Sequence, residues 1–390
     1  MPSLSHYMSS AALPAEGLLV GRVWNPAEDG PAVVRREGQD LVDITKAFPT
    51  VRDLCEAEDP AGAARAVTGP VIGTADAVMA NTPPETRDTS MPWLLPPVDL
   101  QALKAAGVTF ATSMLERVIE ERARGNPAAA AEIRATIGTL IGSDLSKLRA
   151  GSAEAMELKK VLMEKGAWSQ YLEVGIGPDA EIFTKSQIMS AVGHGMEAGL
   201  NPVSTWNNPE PEVVVIVAST GRIVGAMLGN DVNLRDVEGR SALLLGKAKD
   251  NNASCAVGPM IRLFDASFSL DHVRRMQLSL KVEGEDGYVM TGASNMSKIS
   301  RDPADIVGQM IGPYHQYPDG AVLFLGTLFA PVEDRDAPGK GFTHKLGDVV
   351  TVSSPELGML ANRMTTSDKA APWTYGASHL MRNLAKRGLL

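Results

Sequence analysis

The sequence predicts a β-rich α+β fold: a mixed roll or sandwich of mostly antiparallel strands, preceded by a small N-terminal α/β subdomain. Three observations lead there. After Trp168 short apolar runs recur between turn residues, and helical stretches are few, so sheet dominates that half. The stretch Thr82 to Asp99 carries Pro83, Pro84, Pro92, Pro96 and Pro97, a density that breaks regular structure. The residues before it hold strands and a helix of their own. At roughly 100 to 200 residues per domain, a chain of 390 residues accommodates such a division. Residues 1–95 are expected to form the subdomain and linker, and 96–390 the main domain.

Each element has a local reason. Leu18–Trp24 and Ala32–Asp43 read as short strands in a hairpin-like arrangement, and Val51–Glu56 as a helix. The proline-rich stretch is expected to be an extended linker. From Ser113 to Ile141 alanine, glutamate, arginine and isoleucine prevail around a Gly125-Asn126-Pro127 break, which predicts two helices joined by a turn. A third helix is expected over Ala153–Lys165. Strands follow at Val213–Ala218, Ile223–Leu228 and Met276–Val282, the last paired with Tyr288–Thr291 through the turn Glu283-Gly284-Glu285-Asp286-Gly287. Further strands are expected at Val322–Thr327, Val349–Ser353 and Leu357–Thr365.

Composition narrows the function. Apolar residues make up 44% and charged residues 21% of the chain, ordinary globular values. A formal charge of −9 offers nothing to nucleic acid or an anionic membrane surface. The two cysteines, Cys55 and Cys255, match neither a disulfide framework nor a zinc spacing, so a reducing cytoplasm is expected. No leader-like segment and no run of 18 apolar residues is present, and a soluble protein is expected. Gly-rich phosphate loops are absent.

The segment Asn207-Asn208-Pro209-Glu210-Pro211-Glu212 runs straight into the apolar residues Val213 to Val217. In a strand, residues i and i+2 share a face about 7 Å apart, so Glu210 and Glu212 can converge. Asp231 follows at the end of the strand expected to return beside them. Three carboxylates without a nearby His or Cys suit a hard, oxygen-seeking ion: Mg²⁺, with Mn²⁺ or Ca²⁺ as substitutes. On spacing alone a solvated strand edge and a turn cap are the better reading, because Glu-X-Glu is a weak signal. His194, His315 and His344 have no metal-ligand spacing to one another.

The stretch Asn207 to Phe264 resembles the signature of the fumarylacetoacetate hydrolase superfamily, a Glu-X-Glu strand followed by an Asn-Asp-X-X-X-Arg-Asp loop. The resemblance implies metal ligation by Glu210, Glu212 and Asp231, with Arg235 at the family's arginine. Gly246-Lys247-Ala248-Lys249 resembles its lysine segment and Gly326-Thr327 its substrate-meeting Gly-Thr pair. Hydrolytic members carry a His and a Glu three residues apart that activate water for carbon–carbon cleavage. Here Ser113 stands at the histidine and only Glu116 remains, and serine has no lone pair that titrates near neutral pH.

In Trp168–Glu173, Asn233–Ser241, Lys249–Cys255, His315–Gly320 and Gly341–Lys345 the chain resembles instead the superfamily's dehydratases of 2-keto-3-deoxy-pentonates. The implied reaction is metal-chelated enolate formation and loss of the C4 hydroxyl. It would yield 2-oxoglutarate semialdehyde (2,5-dioxopentanoate) in non-phosphorylative pentose oxidation. Glu116 and Lys249 are the expected proton-transfer groups, a neighbouring cation depressing the lysine pKa. Ser113, Lys185, Arg235 and Thr327 are the expected substrate contacts. The expected partner is a small 2-keto-3-deoxy sugar acid, and the resemblance implies a homodimer or homotetramer. An acylpyruvate or 2,4-diketo acid hydrolase is the alternative, and a non-catalytic sugar-acid binder a third.

Overall fold

The architecture is that of a computed structural model, which describes residues 3–124, 126, 128–130, 133, 148–164, 166 and 168–390, with the backbone alone at 111–113. Most of the second helix expected within 113–141 lies outside the described residues.

The first strands are β1 (Leu19–Asn25), β2 (Gly30–Glu37) and β3 (Asp40–Asp43). Ala32–Asp43 is thus two strands rather than one, because Gly38 takes φ 60°, a left-handed turn conformation that glycine enters without strain. Helices α1 (Val51–Glu56) and α2 (Pro60–Ala66), strand β4 (Val71–Thr74), helix α3 (Ala75–Ala80) and strand β5 (Trp93–Leu95) follow. Thr50 and Asp53 close a capping box at the start of α1.

Next come β6 (Ala102–Gly107), α4 (Ala111–Ala123), α5 (Ala153–Glu164), α6 (Gln170–Ile176), β7 (Glu181–Ser186), β8 (Glu197–Leu200) and β9 (Asn207–Asn208). The central strands are β10 (Pro211–Val217) and β11 (Ile223–Asp231), followed by β12 (Asn233–Leu234), α7 (Arg235–Glu238), α8 (Leu245–Lys249) and β13 (Cys255–Leu263). The chain ends with α9 (Leu270–Val273), β14 (Gln277–Glu283), β15 (Val289–Asn295), α10 (Pro303–Met310), β16 (Ala321–Phe324), β17 (Val349–Ser354), β18 (Gly358–Thr366) and α11 (Ala377–Lys386).

One large sheet runs β4-β3-β2-β1-β13-β11-β10-β16-β6-β7, with β5 beside β1, and a second runs β15-β14-β17-β18-β8. Pairing is antiparallel except at β6–β16 and β8–β18. Through the β1–β13 pairing, the N-terminal strands extend the large sheet.

Strand β10 shows why its sequence is an unbroken apolar run. Val213, Val215 and Val217 enter one hydrophobic cluster, and Val214 and Ile216 enter another, so both faces are covered. Fixed between two cores, the strand presents its N-terminal residues Glu210 and Glu212 at the sheet's end. The expected strand Val322–Thr327 stops at Phe324. Gly326 turns the chain away at φ 87°, where an added Cβ would lie 2.0 Å from Thr109 Oγ1. That turn brings the Gly326 amide onto Glu212.

His194 lies apart from the site, fully buried between the N-terminal segment and β18. Its Nδ1 accepts from the Ala361 amide at 3.1 Å and its Nε2 meets the Tyr7 carbonyl at 3.0 Å. Burial pulls its pKa down to about 4. The unfolded chain titrates near 6.5 and so binds the proton first. His194 therefore contributes stability above pH ~6.5 that is lost as pH falls through about 4, on the order of 3 kcal/mol in total. Urea unfolding of wild type and H194Q at pH 7.0 and 4.5 checks this. The stability gap between them is expected to shrink at the lower pH, and an unchanged gap refutes the assignment.

Candidate active site

Four chain segments converge at the end of the large sheet. Glu210 and Glu212 precede and open β10, and Asp231 ends β11, where its amide donates to the Glu210 carbonyl at 3.0 Å. The three carboxylates each offer an oxygen within 4.8 Å of the others, and all three residues are buried. Lys249, the last residue of α8, places Nζ 2.5 Å from Glu210 Oε2 and 3.1 Å from Asp231 Oδ2. The Gly326 amide donates to Glu212 Oε2 at 2.6 Å.

These groups line a narrow cavity together with Glu181, Glu238, Arg117 and Thr327. Its lining, among the described residues, includes no histidine and no cysteine. An adjoining pocket shares Arg117, Glu210 and Thr327 with it and adds Glu116, Glu120 and Arg235.

Charge in the cavity is unevenly compensated. Burial, reinforced by Asp231 and Glu210, pushes the Glu212 carboxyl well above the ordinary range. Burial works the same way on Asp231, but Lys185 and Lys249 outweigh it and hold that group low. For Lys249 burial opposes the ammonium, yet Asp231, Glu210 and Glu238 prevail and raise its pKa. The depression expected from a neighbouring cation thus concerns the cation-bound site; in the site as folded, Lys249 is an ammonium bridging two carboxylates. A buried oxygen-donor set in which one carboxyl resists ionisation suits a hard divalent ion, whose charge would favour the ionised carboxylate.

The expected substrate contacts divide. Thr327 lines both cavity and pocket. Lys185 is fully buried and lies outside the lining, its Nζ on the Lys249 carbonyl at 2.6 Å, the Val232 carbonyl at 3.2 Å and Asp231 Oδ1 at 2.8 Å. It braces Asp231 and the Lys249 backbone from behind the cavity. Arg235 is equally engaged: Nε donates to Glu120 Oε1 and Nη1 to the Pro331 carbonyl, both at 2.7 Å, while the guanidinium stacks over Trp206. Glu116 faces the adjoining pocket, with Arg235 Nη2 3.7 Å from its carboxylate. Ser113 lies in the first turn of α4, where only the backbone is described.

Three residues of the site were missed from the sequence. Glu181 opens β7 opposite Gly107, the position where an added Cβ would lie 2.1 Å from its carboxylate. Burial first, then Glu238, raises its pKa to about 7, against the pull of Arg117 and Lys249. Nothing in Pro178-Asp179-Ala180-Glu181 marks it locally; only the β6–β7 pairing delivers it. Arg117 donates to Glu210, to Glu120 at 2.6 Å and to Glu238 at 3.0 Å. The Glu116–Arg122 run looks like solvated i to i+4 pairing, but Met114, Val118 and Ile119 bury the other face of α4 against α6 and turn Glu116, Arg117 and Glu120 inward. Glu238 follows Arg235 on α7 and reaches the cavity by the same short helix.

The chain is similar to several known proteins. Residues 184–365 match the family model described as the fumarylacetoacetate (FAA) hydrolase C-terminal domain. The chain is 31% identical over 180 residues to the 2-dehydro-3-deoxy-D-arabinonate dehydratase of Saccharolobus solfataricus, covering 46% of this chain and 57% of that protein. It is 28% identical over 196 residues to a probable 2-keto-3-deoxyxylonate dehydratase of Haloferax volcanii, covering 50% of this chain and 64% of that protein. The matches therefore span about three-fifths of the curated relatives' length. Among solved structures, a 2-keto-3-deoxy-D-arabinonate dehydratase complexed with magnesium and 2,5-dioxopentanoate superposes with a TM-score of 0.60 at 19% identity, covering 90% of this chain and 99% of that one. A 2-hydroxyhepta-2,4-diene-1,7-dioate isomerase from Mycobacterium marinum gives 0.51 at 17% identity, covering 90% and 100%. At such identities the likeness is one of fold.

Proposed function

We propose that this chain, whose residues 184–365 match the fumarylacetoacetate (FAA) hydrolase C-terminal family model, is a metal-dependent dehydratase of 2-keto-3-deoxy-pentonates. The observation that carries the reading is the placement of two proton-transfer groups, Lys249 and Glu181, in one cavity beside a carboxylate triad and without histidine. The names of the two curated relatives support the substrate class, and 2,5-dioxopentanoate is the product it implies.

Glu210, Glu212 and Asp231 would hold the cation, Mg²⁺ in the first instance, which when bound supplies Lewis-acid stabilisation of negative charge on the 2-keto oxygen. The remaining work falls to side chains. Glu181, titrating near neutrality, is partly ionised there and takes the C3 proton. Lys249, an ammonium, gives a proton to the C4 hydroxyl, which leaves as water and creates a C3–C4 double bond. Removal of a C5 proton and return of one at C3 shift that bond to C4–C5, and the resulting enol collapses to the aldehyde. Thr327 offers a hydroxyl at the junction with the adjoining pocket, where Glu116 faces the distal end of the substrate. Lys185 and Arg235 act as positioning residues.

The test is direct. Purified protein with 2-keto-3-deoxy-D-pentonate and Mg²⁺ should release an aldehyde oxidised by a coupled NAD(P)-linked dehydrogenase. Absence of signal with Mg²⁺, Mn²⁺ and Ca²⁺ alike, or pyruvate release from an acylpyruvate, overturns the reading.

Glu181 adds a pH signature. A base of raised pKa works only when ionised, so kcat/KM is expected to climb with pH through about 7. In E181Q that limb should vanish and turnover fall roughly 10²- to 10⁴-fold. A variant retaining both the rate and the limb excludes Glu181 as the base.

A further inference from the structure

We infer that Arg117 is the residue that grips the carboxylate of the 2-oxo acid. The inference rests on the dehydratase reading only in taking an anionic 2-oxo acid as the ligand.

The cavity is hostile to anions. Glu181, Glu210, Glu212, Asp231 and Glu238 face it, and among the described lining residues only Lys249 and Arg117 carry positive charge. The Lys249 ammonium is committed between Glu210 and Asp231. Arg235, the guanidinium that sequence alone suggests for this task, is absent from this lining and faces only the adjoining pocket, where Glu120, the Pro331 carbonyl and Trp206 hold it. Arg117 is the guanidinium left, and it stands where cavity and adjoining pocket meet.

Its anchoring is two-sided. Nη1 is held by Glu120 at 2.6 Å and Glu238 at 3.0 Å, while Nη2 donates to Glu210 Oε1. Both oxygens of Glu210 thus carry protein cations, Arg117 on Oε1 and Lys249 on Oε2. A divalent ion drawn to Glu210 competes with them for that carboxylate. Glu120 and Glu238 keep the guanidinium in place when Nη2 yields, and Nη2 is then a donor turned toward the cavity. A planar guanidinium presents paired N–H groups that match a carboxylate, which an ammonium does not.

Calorimetry with pyruvate as probe on the Mg²⁺-saturated protein tests this, using R117M and R117K. R117M is expected to bind pyruvate roughly 10- to 100-fold more weakly, with undiminished affinity for Mg²⁺ alone. R117K, which keeps the charge without the fork, should be intermediate and also guards against misfolding of R117M. Added guanidinium should restore part of the loss in R117M, and KM for the sugar acid should rise more than kcat falls. Wild-type pyruvate affinity in R117M overturns the inference and leaves the dehydratase reading standing. Loss of Mg²⁺ binding in both variants overturns it too, since Arg117 would then only hold Glu210. Failure of the Mg²⁺-saturated wild type to bind pyruvate defeats inference and reading together.

Discussion

E212Q is expected to lose turnover by at least about 10³-fold at millimolar Mg²⁺ while gaining stability in metal-free buffer, two effects of opposite sign from one substitution. The activity loss follows from the ligand set: Glu212 supplies one of three carboxylates, and an amide oxygen is a weaker, uncharged donor for a hard ion. The stability gain follows from burial. Desolvation and the neighbouring Asp231 and Glu210 raise the folded-state pKa of Glu212 well above that of the unfolded chain. A carboxyl with raised pKa costs the folded state free energy once pH exceeds the unfolded value near 4.3, because the unfolded chain ionises freely and the folded one does not. Glutamine removes that cost, and its carbonyl can still accept from the Gly326 amide. Thermal unfolding with and without Mg²⁺ reads both sides. Wild type should gain stability with metal and E212Q should not, since an ion at free concentration L that binds only the folded state stabilises it by RT ln(1 + L/Kd), a term that grows with ion concentration and affinity. An E212Q protein that keeps its turnover and its Mg²⁺-induced shift would remove the triad from the mechanism.

Much of the fold could be read from the chain because its strands carry their own signals. Val213 to Val217 is apolar at every position since both faces are covered, and Val349–Ser354 and Gly358–Thr366 sit within a residue of expectation. The triad was legible for a related reason: Glu210 and Glu212 are two residues apart on one strand, and Asp231 ends the next, so the hairpin register alone brings them together. What escaped was set by distant pairings. Glu181 reaches the cavity through β6–β7, and β6 reaches it through a parallel pairing with β16, more than 200 residues later in the chain. Arg117 and Glu120 were masked by a pattern normally found in solvent; what buries them is the packing of α4 on α6, which no local window contains. Arg235 was recognisable by its position in the loop, but its partners Glu120, Pro331 and Trp206 come from three separate segments that no local window contains.

K249M is expected to lower kcat by roughly 10²- to 10⁴-fold, the usual contribution of a positioned acid or base, without weakening Mg²⁺ binding. The second half of that expectation separates a chemical role from a structural one. Lys249 touches Glu210 at 2.5 Å and Asp231 at 3.1 Å, so it occupies the same carboxylates that the ion needs. Removing it leaves two buried carboxylates short of a counter-charge, and breaking a buried ion pair by deleting one partner typically costs about 3–5 kcal/mol. In metal-free buffer the variant should therefore unfold at lower urea than wild type. Mg²⁺ fills the deficit, so the gap should narrow on its addition and Mg²⁺ affinity should hold or rise. Lys185, whose Nζ contacts Asp231 Oδ1 and the Lys249 carbonyl, leaves the local backbone supported whichever side chain stands at 249. A K249M protein saturated with Mg²⁺, restored toward wild-type stability and yet inactive, places the lysine in the proton transfer itself. Retention of more than about a tenth of wild-type kcat under those conditions, where a positioned acid should give at least ~10², would assign the proton to another group.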